Sequence, residues 1–155
     1  MTMNRPFSPN RLPGRTVHPA LTAQVGLEVV RIEAIPVSAG EVVQIRFERA
    51  TSIRRQGVWL ATEGVLEIGG EDRPQFVLWA DGASTQIEVT IVKTDGLIRF
   101  NNVYEFPPGS GLHRSQMNGS GMIRRDRGDG WIEYACNDFG IGEGFEKLIF
   151  SIRSR

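Results

Sequence analysis

Alternation of apolar and polar positions is the strongest pattern in the chain. In residues 41–48 every second side chain is apolar (Val43, Ile45 and Phe47), and residues 85–94 repeat this pattern. A period of two places alternate side chains on opposite faces of an extended strand. Both segments are therefore predicted to be β-strands with one buried face.

Short runs rich in β-branched and aromatic residues, separated by turn signals, predict further strands. One such turn is Asp95-Gly96, which marks a tight hairpin because its second position favours a positive φ. The only candidate helix is a short one over residues 51–56. The further strands are predicted at residues 26–35, 58–61, 65–68, 75–79, 97–104, 122–124, 131–136 and 147–152.

The number and spacing of these segments predict an all-β fold. About nine or ten short antiparallel strands are typical of two sheets packed face to face, as in a jelly-roll or immunoglobulin-like β-sandwich. A closed barrel is the alternative architecture. The predicted single β-sandwich domain covers residues 21–155.

The first 20 residues differ in composition from the rest of the chain. Residues 1–19 contain four of the eight prolines, and no acidic residue occurs before Glu28. Proline fixes φ and removes a backbone donor, so this stretch is interpreted as an extended N-terminal arm over residues 1–20. In this interpretation the arm docks on a neighbouring subunit, which predicts a homo-oligomer.

Composition excludes several classes of function. Basic and acidic residues number 18 each, so the chain lacks the basic excess of a nucleic-acid-binding protein and no nucleic-acid partner is expected. With His18, His113 and Cys136 as the only histidines and cysteine, a zinc finger and an internal disulfide are excluded. No apolar run suits a membrane span or a signal peptide, so the default prediction is a cytoplasmic protein without membrane contact.

The loop near the C-terminus is glycine-rich and carries the carboxylates of Asp138, Glu143 and Glu146. Calcium takes six to eight oxygen ligands, and such a loop can wrap the ion. Residues 136–152 resemble the acidic hairpin that ends some bacterial β-sandwich domains, including calcium-dependent lectins. The resemblance implies a lectin-like site with calcium at Asp138, Glu143 and Glu146; a solvated acidic loop is the alternative. The residues shared with that pattern are Asn137, Asp138, Phe145, Leu148, Ile149 and Phe150, whereas Glu143, Gly144, Glu146 and Lys147 stand where it prefers aspartates.

A second group of residues predicts ligand binding. Asn102 and Tyr104 continue the core face of their predicted strand toward its end, and Trp131 adds a second aromatic ring. Asn137 and Asp138 supply hydrogen-bonding groups. Sugars are often held by ring stacking together with amide and carboxylate contacts, so these five residues are predicted to bind a ligand. An aromatic core with a tyrosine at the sheet edge is the alternative.

The chain contains no G-x-S-x-G elbow, Walker loop or H-E-x-x-H motif. The predicted function is therefore a non-catalytic binding module that takes a glycan or protein ligand at loops between strand ends. One alternative is a structural subunit that assembles through the N-terminal arm. Another is a small enzyme using carboxylates such as Asp138 and Glu143. No cofactor is predicted other than the calcium ion.

Overall fold

The computed structural model describes residues 11–82, 84–115, 121–137 and 144–154. These residues form eleven β-strands and one short helix, and every strand pairing is antiparallel. The elements are β1 (Thr16–Val17), α1 (Pro19–Val25), β2 (Val30–Pro36), β3 (Val42–Ala50), β4 (Gln56–Ile68), β5 (Glu71–Trp79), β6 (Gln86–Lys93), β7 (Leu97–Glu105), β8 (His113–Ser115), β9 (Met122–Asp126), β10 (Ile132–Cys136) and β11 (Leu148–Ser154).

Eight of the strands close into an antiparallel β-barrel. Their order is β2–β9–β10–β11–β3–β6–β4–β7, and β7 pairs back onto β2. The other three strands lie beside the barrel, with β1 on β2, β5 on β4 and β8 on β7. The predicted two-sheet β-sandwich, whether jelly-roll or immunoglobulin-like, is therefore wrong, and the sandwich that the lectin resemblance implied is wrong with it. The all-β class is confirmed.

The sheet can close because β4 changes partners along its length. Residues 56–61 of β4 pair with β7, whereas residues 65–67 pair with β6, and β5 pairs with both parts of β4, at residues 57–61 and 66–68. Gly64 lies at the change of partner, where a Cβ atom would come within 2.1 Å of the carbonyl oxygen of Lys93. Only glycine allows the two backbones to approach this closely. The two strands predicted at 58–61 and 65–68 are the halves of this single strand.

The barrel interior is filled by side chains from the alternating positions. Val43, Ile45 and Phe47 face the core as predicted, since all three are buried in it. Three aromatic rings cross the interior. Tyr134 stacks on Phe150 at 5.4 Å between ring centroids and meets Phe100 edge-on at 5.0 Å. An eight-stranded barrel is just wide enough for side chains to fill it, so this interior is a packed core.

The weakest part of the closed sheet is the seam between β2 and β9. These strands pair only at Val30–Met122. Beyond that pair, the hydroxyl of Tyr134 on β10 donates a hydrogen bond of 2.9 Å to the buried carboxylate of Glu33 on β2. Arg15 donates to the other oxygen of the same carboxylate at 2.7 Å. Side chains therefore join β2 to β10, the strand beyond β9, where the backbone ladder across the seam is short.

Residues 11–18 lie against their own barrel. Besides the Arg15 contact, the carbonyl of Pro13 accepts a hydrogen bond from the buried Arg99 at 3.1 Å. Of the predicted arm, residues 1–10 lie outside the described part of the chain, and residues 16–20 form β1 and the start of α1. Assembly through residues 1–20 stays a prediction.

Helix α1 is an element that the sequence analysis missed. His18 caps it, because its Nδ1 atom accepts a hydrogen bond from the backbone of Leu21 at 3.1 Å. Pro19 begins the helix, and Gly26 ends it with a φ of 82°. The candidate helix over residues 51–56 is wrong, since residues 51–55 form an irregular connection and β4 begins at Gln56. No helix among the described residues has the length and apolar character needed to cross a membrane.

The two ends of the barrel differ in their connections. One end, called the turn end, carries turns at residues 37–41, 69–70, 94–96 and 127–131, including the predicted Asp95-Gly96 hairpin with a φ of 105° at Gly96. The other, called the loop end, carries the irregular connections at residues 51–55, 80–82, 84–85 and 106–112. Irregular loops on a rigid barrel are the usual location of a binding site.

A substitution at Gly64 tests the change of partner in β4. A Cβ atom in Gly64→Ala would press on the Lys93 carbonyl, and we expect the free energy of unfolding to fall by about 1–3 kcal/mol. Gly14→Ala is the matched control, because nothing lies within 4 Å of a Cβ atom there, and its effect should stay within about 0.5 kcal/mol. Urea unfolding measures both variants. Equal stability of the two would show that β4 does not need glycine at the bend.

Candidate functional site

Three of the five predicted ligand-binding residues lie at the loop end. Asn102 and Tyr104 are near the end of β7, and Asn137 follows β10. The Nδ2 atom of Asn102 donates to the backbone carbonyl of Asn137 at 3.1 Å, and the Oδ1 atom of Asn137 accepts from the backbone of Gly121 at 2.8 Å. Asn102 and Asn137 are buried, so these two amides connect β7 and β9 to the end of β10.

Trp131 lies at the other end of the barrel. It precedes β10, whereas Asn137 follows β10, so one whole strand separates them. The guanidinium groups of Arg46 and Arg153 lie 4.1 and 4.4 Å from its ring centroid, and the residue is 6 % exposed. The structure therefore does not bring Trp131 to Tyr104, and the two rings do not form the predicted aromatic platform.

The predicted calcium site falls mostly on residues that the structure does not describe. Asp138 and Glu143 lie at residues 138–143, outside the described ranges. Asp138 was also predicted to bind an organic ligand, and that prediction lies outside the described residues for the same reason. Glu146 is exposed, and its carboxylate lies 3.5 Å from Nη1 of Arg49. Within the described ranges, no three histidine, cysteine or acidic side chains lie close enough together to hold a metal ion. Calcium binding stays a prediction.

A pocket on the outer surface of the loop end was not predicted. Its volume is about 500 Å³. The lining combines apolar side chains from two loops with two arginines and two carboxylates. The lining residues are Ile53, Arg54, Arg55, Asp81, Glu105, Phe106 and Pro108.

Arg55 organises the charged part of this pocket. Its Nε atom donates to both carboxylate oxygens of Asp81, at 2.8 and 3.0 Å, and its Nη1 atom lies 3.5 Å from Glu105. Its guanidinium also lies 4.5 Å from the ring centroid of Trp79. The hydrogen bonds to Asp81 raise the pKa of Arg55. This cation is therefore matched by one carboxylate from the connection after β5 and one from the end of β7.

Glu105 fixes the shape of the loop between β7 and β8. Its carboxylate accepts hydrogen bonds from the backbone of Gly109 at 2.8 Å and of Gly111 at 2.9 Å. These bonds, with the nearby Arg55 guanidinium, lower the pKa of Glu105. The loop is also closed by a backbone hydrogen bond of 3.1 Å from Phe106 to Leu112.

The loop end presents three exposed apolar side chains, which together are called the loop-end patch. Ile53 is 98 % exposed, Phe106 51 % and Leu112 54 %. Arg114 is exposed beside them, and its Nε atom donates to the carbonyl of Phe106 at 3.3 Å. No carboxylate among the described residues pairs with Arg114. A signal for this patch was available in the sequence, because Ile53 is an isolated aliphatic residue in a polar connection.

The pH dependence of amide exchange tests the role of Glu105. Because its pKa is lowered, the two glycine hydrogen bonds should be intact above the ordinary glutamate pKa of about 4.3 and be lost as the pH falls through the lower folded value. We expect acid to reduce the protection of Gly109 and Gly111 in hydrogen exchange, after correction for the intrinsic rate. In Glu105→Gln, protection should be weaker at neutral pH and less dependent on pH.

The amide of Gly40 is the internal control for this measurement, because it donates to the backbone carbonyl of Ile91 at 2.8 Å and needs no carboxylate. If the protection of the Gly109 and Gly111 amides changed with pH in the same way as that of Gly40, Glu105 would not be holding the loop.

Comparison with known proteins does not identify the chain. No family model, curated protein or solved structure matches it. The barrel and the arrangement of side chains at its loop end are therefore the observations that bear on function.

Proposed function

We propose that this chain is a non-catalytic binding protein that holds a protein ligand at the loop-end patch. The observation that carries the proposal is the exposure of Ile53, Phe106 and Leu112 at one end of a rigid barrel. Contiguous apolar surface on a folded protein often marks an interaction site. Ile53 and Phe106 also share one pocket, into which a ligand side chain can be inserted.

The charges around the patch indicate the chemistry of the ligand. Arg55 is already matched by Asp81 and Glu105, whereas Arg114 has no described carboxylate partner. The ligand that fits is a protein segment with an apolar side chain for the pocket and a carboxylate for Arg114. Aromatic and arginine side chains are common energetic centres of protein interfaces.

The same observations favour a protein over a glycan. A glycan site of the predicted kind needs open aromatic faces with free polar groups, but the Trp131 ring is covered by two arginines. The amides of Asn102 and Asn137 are engaged within the chain. By contrast, two of the three side chains of the loop-end patch are aliphatic, and these suit the apolar side chains of a protein ligand better than they suit a sugar.

A non-catalytic role is supported by the surroundings of two potentially reactive side chains, Cys136 and His18. The thiol of Cys136 is buried in the barrel, and burial raises its pKa, which disfavours the reactive thiolate. The Nδ1 atom of His18 is used to cap α1. Glycan binding, assembly through residues 1–20 and a cytoplasmic location remain predictions.

Peptide selection against the full chain tests the proposal. We expect selected peptides to combine aromatic or aliphatic residues with aspartate or glutamate. Phe106→Ser should weaken their binding about tenfold or more, because burying a Phe side chain contributes roughly 1.5–3 kcal/mol. Arg114→Ala should weaken binding of the acidic peptides selectively.

Val92→Ser is the matched control, since Val92 is 41 % exposed on β6, away from the loop connections. Fluorescence anisotropy of labelled peptides measures all the affinities. The proposal fails if no peptide family is enriched, or if Phe106→Ser and Val92→Ser bind the selected peptides equally.

A further inference from the structure

Strand β5 presents a long free edge. It pairs with β4 on one side, and no other strand among the described residues pairs with it. The other two strands beside the barrel, β1 and β8, have only two and three residues, whereas β5 has nine. A short edge strand is one protection against pairing with another chain, and β5 lacks it.

The two halves of this edge differ in their protection. The first half carries three charged residues and a proline, namely Glu71, Asp72, Arg73 and Pro74. Charges and proline are features by which natural edge strands prevent pairing with another chain. The second half, residues 75–79, has neither a charge nor a proline. These five residues are called the open edge.

The hydrogen-bonding pattern of β5 turns backbone groups outward along the open edge. The N–H of Ala80 donates to the carbonyl of Gln56 on β4 at 2.8 Å. In an antiparallel ladder alternate residues bond to the same neighbour, so residues 76 and 78 also bond to β4, and residues 75, 77 and 79 face away from it. The Trp79 carbonyl is taken by the N–H of Gly82 at 3.1 Å. Three N–H groups and two carbonyls of the open edge therefore face the side on which no described strand pairs with β5.

The open edge leads to the pocket of the loop-end patch. Asp81, which lines that pocket, follows shortly after the last residue of β5. Arg55 joins the two, because its guanidinium lies 4.5 Å from the ring centroid of Trp79 and its Nε atom donates to Asp81. A protein ligand that places an apolar side chain in the pocket is therefore already beside the end of the open edge.

The side chains on both faces of the open edge are mainly apolar. Phe76 and Leu78 are buried in the core, whereas Val77 and Trp79 alternate with them and lie half-buried on the outer face. A strand added to the edge alternates its own side chains between the same two faces. An uncharged segment rich in β-branched or aromatic residues therefore fits this edge best.

We propose that the open edge binds an extended, uncharged segment of the protein ligand as an added β-strand. This inference rests on the proposed function and specifies how the ligand binds. An apolar residue of the ligand enters the pocket at the loop end, and the adjoining segment continues along β5. In this mode of recognition the backbone hydrogen bonds supply affinity, and the alternate side chains supply specificity.

N-methylation of the selected peptides tests the added strand on the wild-type chain. In a paired strand every second N–H of the ligand bonds to β5, and a methyl group removes that donor. We expect methylation at alternate positions of the extended segment to weaken binding about tenfold or more, because each such position loses a hydrogen bond. Methylation at the intervening positions is the matched control and should change the affinity by about twofold or less.

Hydrogen exchange and substitutions at Val77 test the same contact from the side of the protein. The N–H of Val77 should exchange more slowly when a selected peptide is bound, whereas that of Leu78, which faces β4, should change little. Val77→Pro removes the outward N–H at an edge position and should weaken binding about tenfold. Val77→Thr is the matched control, since it keeps the N–H and a β-branched side chain, and its affinity should stay within about twofold of the wild type. If Val77→Pro does not fold, the methylated peptides still decide the question.

Three results would overturn the proposal. The first is that methylation acts equally at all positions and the exchange of the Val77 amide stays unchanged. The second is that Val77→Pro and Val77→Thr bind the peptides equally. The third is protection of the Val77 amide that rises with protein concentration in the absence of peptide, which would assign the open edge to a second copy of the chain.

The Phe106→Ser variant separates this proposal from the proposed function. If it weakens binding while the methylation pattern is flat, the loop-end patch stands and the added strand is wrong. If methylation acts at alternate positions while Phe106→Ser has no effect, the added strand is confirmed and the loop-end patch is wrong.

Discussion

The hydrogen bond from Tyr134 to the buried carboxylate of Glu33 is the interaction on which the closed barrel depends. The strands at the seam, β2 and β9, share a single residue pair, so the backbone ladder alone does not close the sheet there. Hydrogen bonds to a charged group contribute about 1.5–3 kcal/mol, and without Tyr134 the Oε2 atom of the buried Glu33 carboxylate would lose its 2.9 Å hydrogen bond while Arg15 still pairs with Oε1. Burial raises the pKa of Tyr134 above the ordinary tyrosine value of about 10, so its hydroxyl stays a donor even in alkaline solution. The same ring stacks on Phe150, so one side chain joins the aromatic core to the seam.

Closure of the barrel also determines which side chains at the loop end face solvent and which face the core. In a closed sheet each strand has one face inside and one outside, and neighbouring residues alternate between them. Arg55 and Gln56 are adjacent in sequence, yet one lines the outer pocket and the other points into the core. Neighbouring residues at the loop end therefore face different environments, one the outer surface and the other the packed interior of the barrel.

The sequence predicted the strands better than their closure. Alternation at Val43, Ile45 and Phe47 identified the inward face because a half-buried strand has the same period in a sandwich and in a barrel. Closure depends instead on β4 changing partners at Gly64, and a glycine between two apolar runs also fits a break between two strands. The candidate site was likewise predicted only in part. Asn102 and Tyr104 were expected toward the end of their strand, and both lie there on β7. The placement of Trp131 at the opposite end of the barrel depends on the direction of β10, which runs between Trp131 and Asn137. Ile53 stands out in the sequence as an isolated aliphatic residue in a polar connection, but its exposure is visible only in the structure, as is the missing partner of the Gln56 side chain among the described residues.

A double-mutant cycle at the seam tests the central claim most directly. The free energy of unfolding would be measured at pH 7 for the wild type, Tyr134→Phe, Glu33→Gln and the double variant. If the hydrogen bond closes the barrel, each single substitution destabilises the fold and the two are coupled by about 1–3 kcal/mol. Additivity within about 0.5 kcal/mol would contradict the account, since the two side chains would then act independently.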